Sequence, residues 1–168
     1  MTLDEYISAT DWSDLYSTDP GAVRAICMAA ASVSPATILE LGSHRGLTAA
    51  ALSLACPWAT VTAVDLGDEV PSEVRTAHYD AIGVPVVDVQ CSSAEYLARC
   101  GEFDVIFHDS IHGEAAIDEY LAAWSKTRKI LVVHDWEQVN RDIGLGPPQR
   151  EQLVHIDTRG RITAMLWK

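Results

Sequence analysis

Short apolar runs, many of them β-branched, alternate along the chain with stretches in which apolar positions recur every three or four residues. Thr37–Leu41, Thr60–Asp65, Val84–Gln90, Asp104–His108 and Ile130–His134 are the short runs. Their nearly continuous apolar character is that of strands covered on both faces. A helix is predicted from Asp19-Pro20, a carboxylate N-cap followed by proline at the first helical position, with Val23, Ile26, Cys27 and Ala30 as its apolar face. Leu47, Ala50, Ala51 and Leu54 mark a second helix. Ser72 to Ile82 forms a third, with Val74, Ala77, Ala81 and Ile82 facing one way. Ala94 to Arg99 reads as a short helix capped by Ser92 or Ser93, and Ile117, Tyr120, Leu121 and Trp124 define one more.

Strands alternating with helices are the signature of βαβ units around a parallel sheet. The chain ends differently: Leu153–Asp157 and Arg161–Trp167 are separated by a few residues centred on Arg159-Gly160, which predicts an antiparallel hairpin. The expected fold is therefore α/β: a doubly wound, Rossmann-like, seven-stranded, mostly parallel sheet with a C-terminal antiparallel hairpin and helices on both faces. Residues 1–168 are expected to form one domain, with a helical segment over 1–35 and the Rossmann-like core over 36–168. Ligands of such sheets bind beyond the carboxyl ends of the strands, where strand order reverses.

Composition narrows the choice of ligand. The 168 residues are 48% hydrophobic and 21% charged, enough for a core and too apolar for disorder. Twelve Lys and Arg against twenty-four Asp and Glu give a net charge of −12, which repels nucleic acid and anionic membranes. The small basic cluster Lys126, Arg128 and Lys129 is expected to cap helix C-termini. The four cysteines, Cys27, Cys56, Cys91 and Cys100, lack the spacing of a zinc site or a disulfide framework and read as small buried hydrophobes in a reducing compartment. With an acidic, amphipathic N-terminus and no apolar run near the roughly 20 residues of a membrane span, the expected location is cytoplasmic.

Two segments carry chemistry. In Glu40-Leu-Gly42-Ser-His-Arg-Gly46 a pair of glycines joins a buried strand to a helix, so the turn either presents backbone amides to a charged ligand or is a tight structural turn. The G-x-G-x-x-G dinucleotide fingerprint and the Lys-Ser/Thr of a P-loop are both absent. Asp65, at the tip of the second strand, is placed to accept ribose hydroxyls or to cap the turn that follows. The second segment is Phe107-His108-Asp109-Ser110-Ile111-His112, echoed by His134-Asp135-Trp136. Neighbouring strands lie about 4.8 Å apart, so Asp109 and Asp135 can share a cation, or each can cap its own loop. Trp136 and Trp12 either wall a ligand pocket or pack in the core.

Glu40-x-Gly42-x-x-x-Gly46, Asp65, the third-strand exit Cys91-Ser92-Ser93 and the seven strands with their terminal hairpin together resemble the class I S-adenosylmethionine-dependent methyltransferases, from about residue 18 onward. The resemblance implies that Gly42, Ser43 and Gly46 line the methionine end of the cofactor and that Glu40 supports the turn. It further implies that Asp65 holds the ribose, Leu66 lies against adenine, and Ser92 and Ser93 approach the adenine edge. The family's usual middle glycine is His44 here. The order D-S-x-H, amphipathic helix, V-x-D is similar to the branch containing macrocin-type O-methyltransferases and cephalosporin-hydroxylase-like proteins. That likeness implies Asp109, His134 and Asp135 as ligands of Mg²⁺ or Mn²⁺, Asp109 and His112 as catalytic groups, and O-methylation of a small hydroxylated molecule. The partner expected is then a small-molecule acceptor, with no nucleic acid and no membrane, and a homo-oligomer is compatible with the terminal hairpin. Two rivals remain: a non-catalytic S-adenosylmethionine or nucleoside binder acting as a partner subunit, and an NAD-dependent oxidoreductase, whose glycine fingerprint is missing.

Overall fold

The computed structural model describes residues 1–13, 17–111, 116–136 and 161–168, together with the backbone of 150–156. Seven strands form one sheet: β1 (Thr37–Leu41), β2 (Thr60–Asp65), β3 (Val86–Gln90), β4 (Phe103–His108), β5 (Thr127–Val133), β6 (Arg150–Ile156) and β7 (Ile162–Trp167). Their spatial order is β3-β2-β1-β4-β5-β7-β6. Strands β1 to β5 pair in parallel, and β7 runs antiparallel to both β5 and β6. The chain thus builds outward from β1 in one direction, then crosses back to β4 on its other side. The switch point lies between β1 and β4. The turn of the C-terminal hairpin, around Arg159-Gly160, lies outside the described residues.

Among the described residues, six helices cover the sheet: α1 (Leu3–Ala9), α2 (Pro20–Ser32), α3 (Leu47–Ala55), α4 (Ser72–Ile82), α5 (Ser93–Arg99) and α6 (Ile117–Lys126). Period-2 alternation splits the strands between two cores. Ile38, Val61, Ala63, Val105, Phe107, Ile130 and Val132 pack under α1 to α4. Leu39, Leu41, Val64, Ile106, Leu131 and Val133 pack under α5 and α6. No helix of the described residues is long and apolar enough to cross a membrane.

Local signals explain most boundaries. Asp19 caps α2 by accepting from the amides of Gly21 and Ala22, with Pro20 at N1. Ser92 is the N-cap of α5, and Glu95 reaches back to it in a capping box. Helix α1, which the apolar pattern does not single out, starts with the same device, Thr2 paired with Glu5. Of the basic cluster, Lys126 sits in the last turn of α6 and donates to the Cys100 carbonyl that ends α5, while Lys129 donates to Val33 at the end of α2. The capping expectation for these lysines holds.

Three expectations need correction. Helix α4 has its predicted span but not its predicted face: Val74, Ala77 and Ala81 are exposed, and the buried residues are Arg75 and Tyr79. The reason is electrostatic. Fully buried Arg75 makes a two-pronged ion pair with Asp88 of β3, Nε to Oδ1 at 2.8 Å and Nη2 to Oδ2 at 2.9 Å, and its Nη1 donates to the carbonyl of Val70. Helix α6 buries Tyr120 as expected, but with Glu119 and Ala123 beside it, while Ile117, Leu121 and Trp124 are half-buried. Among the cysteines, Cys27 and Cys56 are buried, whereas Cys91 and Cys100 are half-buried beside α5; all four are thiols.

The Arg75–Asp88 pair supports a stability prediction. Arg75→Met strips the partner from a carboxylate whose side chain is 1% exposed and is expected to cost about 3–5 kcal/mol. Arg128→Ala, breaking a pair with Glu102 in which both side chains are at least half exposed, should cost under about 1 kcal/mol. Urea unfolding midpoints of the two variants check this; similar shifts would mean burial is not what sets the value of these pairs.

Candidate functional site

The turn after β1 and the turn after β4 meet at the switch point with no room for a side chain. A Cβ on Gly42 (φ +83°) would lie 2.2 Å from the carbonyl oxygen of Asp109 and 2.6 Å from Cα of Ser110. Glycine at position 42 is therefore demanded twice, by its backbone angle and by this approach. Gly46, the left-handed N-cap of α3, faces the ring of Tyr79 in the same way. Between them His44 also has a left-handed backbone, φ +44°, a region in which His is enriched relative to bulkier residues.

That backbone has a consequence for the expected anion cradle. The amides of Gly42 and Ser43 both donate to the Val64 carbonyl, that of Gly46 donates to Ser43, and that of His44 donates to Asp65 Oδ2 at 2.8 Å. These four N–H groups are engaged within the fold rather than presented outward. Of the two readings of this segment, the amides of Gly42, Ser43, His44 and Gly46 serve the tight turn itself.

A small cavity of about 20 Å³ is lined by Ser17, Thr18, Glu40, Gly42, Ser43, Arg45 and Asp109, among others. Three side-chain oxygens on this lining, Ser17 Oγ, Glu40 Oε2 and Ser43 Oγ, are buried without a hydrogen-bond partner among the described residues. Such atoms are rare in a finished structure unless a ligand or water completes them. Burial, reinforced by the negative charges of Asp109 and Asp65, holds the Glu40 carboxyl well above the usual carboxylate range. A cation placed in the cavity reverses that balance.

A larger cleft of about 380 Å³ shares Gly42 and His44 with the small cavity and continues past Asp65, Leu66, Ser92, Ser93, Ser110, Ile111 and Glu119, within the size range of small-molecule sites. Asp65 is fixed from beneath: Oδ2 accepts from His44 N–H and Oδ1 from Gly67 N–H at 2.7 Å, with Arg75 Nη1 3.5 Å away. His44 Nε2 lies 3.4 Å from Glu69, joining the first turn to the loop after β2 along one side of the cleft. Leu66 is 55% exposed at the cleft wall. The structure thus brings Glu40, Gly42, Ser43, Asp65, Leu66, Ser92 and Ser93 onto one continuous crevice, with Gly46 at the root of its turn. The hydroxyl of Ser92 is committed to capping α5, so Ser93 is the better-placed hydroxyl of the two.

At the tips of β4 and β5, His134 Nδ1 stands 2.9 Å from Asp109 Oδ1 and 3.5 Å from Asp135 Oδ1. Thr18 donates to Asp109 Oδ2 at 3.0 Å. Adjacent ligands of an octahedral ion at about 2.1 Å stand roughly 3 Å apart, so these three atoms fit neighbouring coordination positions. Their ligand atoms all lie within 4.8 Å of one another. Two carboxylates and an imidazole suit a divalent ion that tolerates nitrogen, such as Mn²⁺. Asp135 holds a left-handed backbone, φ +53°, the kind of local strain that concentrates at functional positions. The structure brings Asp109 and Asp135 together, with His134 between them. His112, the other expected acid or base, lies outside the described residues.

The tryptophans answer to the packing alternative. Trp136 is buried in the core beneath α6. Trp12 stands edge-on to Tyr6 and donates to the Ile7 carbonyl. Neither lines the crevice. Three contributors escape a reading by motif: Ser17 and Thr18, just ahead of the α2 cap, and Glu119 on α6. Ser17 and Thr18 carry no sequence signal. Glu119 had one, since a carboxylate one position from the apolar stripe of a buried helix must find a partner.

A protein-family model described as a methyltransferase domain matches residues 39–136, well over half of the chain. The chain belongs to that methyltransferase family. No curated protein matches it in sequence. Among solved structures, an O-methyltransferase from Bacillus cereus in complex with SAH superposes with a TM-score of 0.75 at 12% identity, over 99% of this chain and 90% of that one. The O-methyltransferase TomG from Streptomyces achromogenes, in complex with SAM, gives 0.72 at 16% identity over 99% and 89%. Cofactor-bound Rv0187 from MTB gives 0.73 at 17% over 98% and 86%. At these identities the likeness is one of fold: the methyltransferase α/β architecture, mostly parallel with an antiparallel end.

The Asp109–His134 contact has a pH signature. Burial pushes the imidazole down, but the hydrogen bond to Asp109 and the charges of Asp109 and Asp135 outweigh it, and the His134 pKa is raised. A raised folded-state value means the stabilisation is complete below the unfolded value of about 6.5 and is lost as pH rises through the folded one. In metal-stripped protein, the stability gap between wild type and Asp109→Asn is therefore expected to shrink from pH 6 to pH 9, and His134 to titrate above 6.5 by NMR. A gap that widens with pH overturns the assignment.

Proposed function

We propose that the chain is an S-adenosylmethionine-dependent O-methyltransferase that acts on a small hydroxylated acceptor, its 168 residues working as one domain with the 1–35 helical segment ahead of the 36–168 core. The observation that carries this reading is the character of the crevice. Its turn amides are engaged, and buried oxygens of Ser17, Glu40 and Ser43 converge on the small cavity. A pyrophosphate would lie among carboxylates with the amides turned away, which speaks against a dinucleotide. An ammonium and a sulfonium find acceptors, and Arg45 on the same lining suits the cofactor's carboxylate. SAH or SAM bound in fold neighbours supports the same reading.

In this reading Gly42, Ser43 and Gly46 form the methionine end and Glu40 supports it. Asp65 takes the ribose hydroxyls, Leu66 covers adenine, and Ser93 with Ser92 meets the adenine edge. When bound, the cofactor supplies a methyl group on positively charged sulfur. The chain's own work is positioning and proton handling. Walls that hold the acceptor oxygen in line can contribute roughly 7–11 kcal/mol through pre-organisation. Asp109 and His134 form a hydrogen-bonded pair able to receive the acceptor's proton, and His112 is the further acid or base. Asp109, His134 and Asp135 are the residues that would hold Mg²⁺ or Mn²⁺, and such an ion would lower the hydroxyl pKa.

Calorimetry with S-adenosylmethionine and its demethylated product should give binding at micromolar levels, and Asp65→Ala should weaken it at least tenfold. Methyl transfer should appear on part of a panel of phenols, sugars and hydroxylated peptides. A thermal shift with NAD and none with the nucleoside thioether would replace this reading with the oxidoreductase; binding without turnover on any acceptor, with or without metal, would leave a cofactor-binding partner subunit.

Metal binding has its own test. Ligation requires His134 without its proton, so Mn²⁺ affinity should rise from pH 6 to pH 8.5 and be lost in Asp109→Asn. A pH-independent affinity would exclude His134 from the ligand set.

A further inference from the structure

A threonine directly ahead of a helix is ordinarily its cap, but Thr18 is not used that way. Asp19 is the N-cap of α2 and accepts from the amides of Gly21 and Ala22. Thr18 is 3% exposed, and its hydroxyl donates to Oδ2 of Asp109 at 3.0 Å, 91 residues further along the chain. A contact between residues so distant in sequence has no local explanation. Burying a hydroxyl is costly unless it is hydrogen-bonded, and the partner here is a carboxylate at the tip of β4.

Asp109 has a use for such a partner. Its backbone is fixed twice: its N–H donates to the Leu41 carbonyl at 2.9 Å, and Gly42 passes its carbonyl too closely for a Cβ. Neither contact fixes the side chain. Two torsions remain, and the outer one, between an sp³ and an sp² carbon, has a broad, nearly two-fold profile. An unsupported carboxylate can therefore offer either oxygen to His134, over a range of angles. With Thr18 on Oδ2, Oδ1 is the oxygen that faces the imidazole, 2.9 Å from Nδ1, and the same Nδ1 lies 3.5 Å from Asp135 Oδ1. The threonine selects which oxygen of Asp109 joins the cluster.

Thr18 is itself held in place. Its β-branched side chain has few χ1 choices. On one side the chain enters α2 through Asp19 and Pro20. On the other, Arg161, just ahead of β7, donates from Nη2 to the Ser17 carbonyl at 3.2 Å. Support for the Asp109 carboxylate thus comes from the N-terminal segment, which is braced in turn by the end of the sheet. Partners that orient a ligating side chain from behind typically carry about tenfold to hundredfold in metal affinity.

We infer that Thr18 is a positioning residue for the cluster at the tips of β4 and β5: its hydroxyl holds Oδ2 of Asp109 so that Oδ1 is presented to His134 and to a divalent ion held with Asp135. The inference rests on the divalent-ion reading of Asp109, His134 and Asp135 and deepens it.

The experiment titrates Mn²⁺ into the intact, metal-stripped protein at one fixed pH and reads the free ion by EPR. Thr18→Val keeps the shape and removes the hydroxyl; it is expected to weaken Mn²⁺ binding about 10- to 100-fold, while Thr18→Ser, which restores the donor, stays within about threefold of wild type. Thr18→Ala places no methyl against the carboxylate and decides the matter if Thr18→Val does not fold. A second measurement needs no ion. In metal-free protein at the same pH, the nitrogen NMR signals of the His134 ring should move in Thr18→Val toward their positions in Asp109→Asn, and stay at the wild-type positions in Thr18→Ser. A packing role alone would lower the urea midpoint of Thr18→Val and leave its Mn²⁺ affinity and His134 signals unchanged, which overturns the inference while the ion site stands. Wild type that binds neither Mn²⁺ nor Mg²⁺ removes the ion site; displaced His134 signals in Thr18→Val then still support the positioning of Asp109, and unmoved signals overturn it as well.

Discussion

The crevice depends on two backbones passing closer than any β-carbon permits. The segment after β1 turns away from the sheet over the carbonyl of Asp109, where a Cβ on Gly42 would stand 2.2 Å from that oxygen. The ladder reaches into this contact, because Asp109 N–H donates to Leu41 and His134 N–H to His108, stepping from β1 across β4 to β5. The tips of three adjacent strands are thereby held in one rigid frame. Every polar group in the candidate site is placed relative to that frame, whether it comes from the sheet itself or from a helix resting on it.

A second constraint is the handling of negative charge. With twice as many acidic as basic residues, the chain still gathers Glu40, Asp65 and Asp109 around one crevice, close enough that the charges of Asp65 and Asp109 help raise the carboxyl of Glu40. Such a cluster opposes folding unless something offsets it. Asp65 has two backbone amides and the nearby Arg75, and Asp109 has Thr18 and His134. Glu40 has the Ala49 amide and the charge of Arg75 in its favour, but burial outweighs them and one of its oxygens has no partner among the described residues. The compensation is thus complete at the rim and incomplete at the centre, which is where a cationic ligand contributes most.

Strand positions, most helix spans and the glycine-bearing turn were legible in the sequence because they rest on local rules: period, capping residues, continuous apolar runs. Asp19-Pro20 announced α2, and Thr60–Asp65 matched β2 residue for residue. Helix faces were less legible where a buried charge set the rotation. Arg75 turns α4 toward Asp88 and leaves Val74, Ala77 and Ala81 in solvent. Glu119 turns α6 toward His108. An apolar count assumes that charges face outward, and these two do not. The role of the turn amides was illegible for a related reason: G-x-x-x-G spacing says that a turn is tight, whereas the direction of each N–H depends on the left-handed angle of His44 and on a carboxylate 21 residues away.

That angle explains how the turn functions without its usual middle glycine. A left-handed residue aims its amide at Asp65 whatever its side chain, so the backbone geometry survives the substitution, and imidazole is among the less costly side chains to hold there. The side chain then acquires work of its own, lying beside Glu69 on the loop after β2. A glycine would leave the two loops joined through the Asp65 carboxylate alone. With histidine they are joined twice, by backbone to Asp65 and by side chain to Glu69, so the turn after β1 and the loop after β2 are coupled through a single residue. Loss of the imidazole would therefore loosen the loop after β2 while leaving the Asp65 contact intact, because the two links use different atoms.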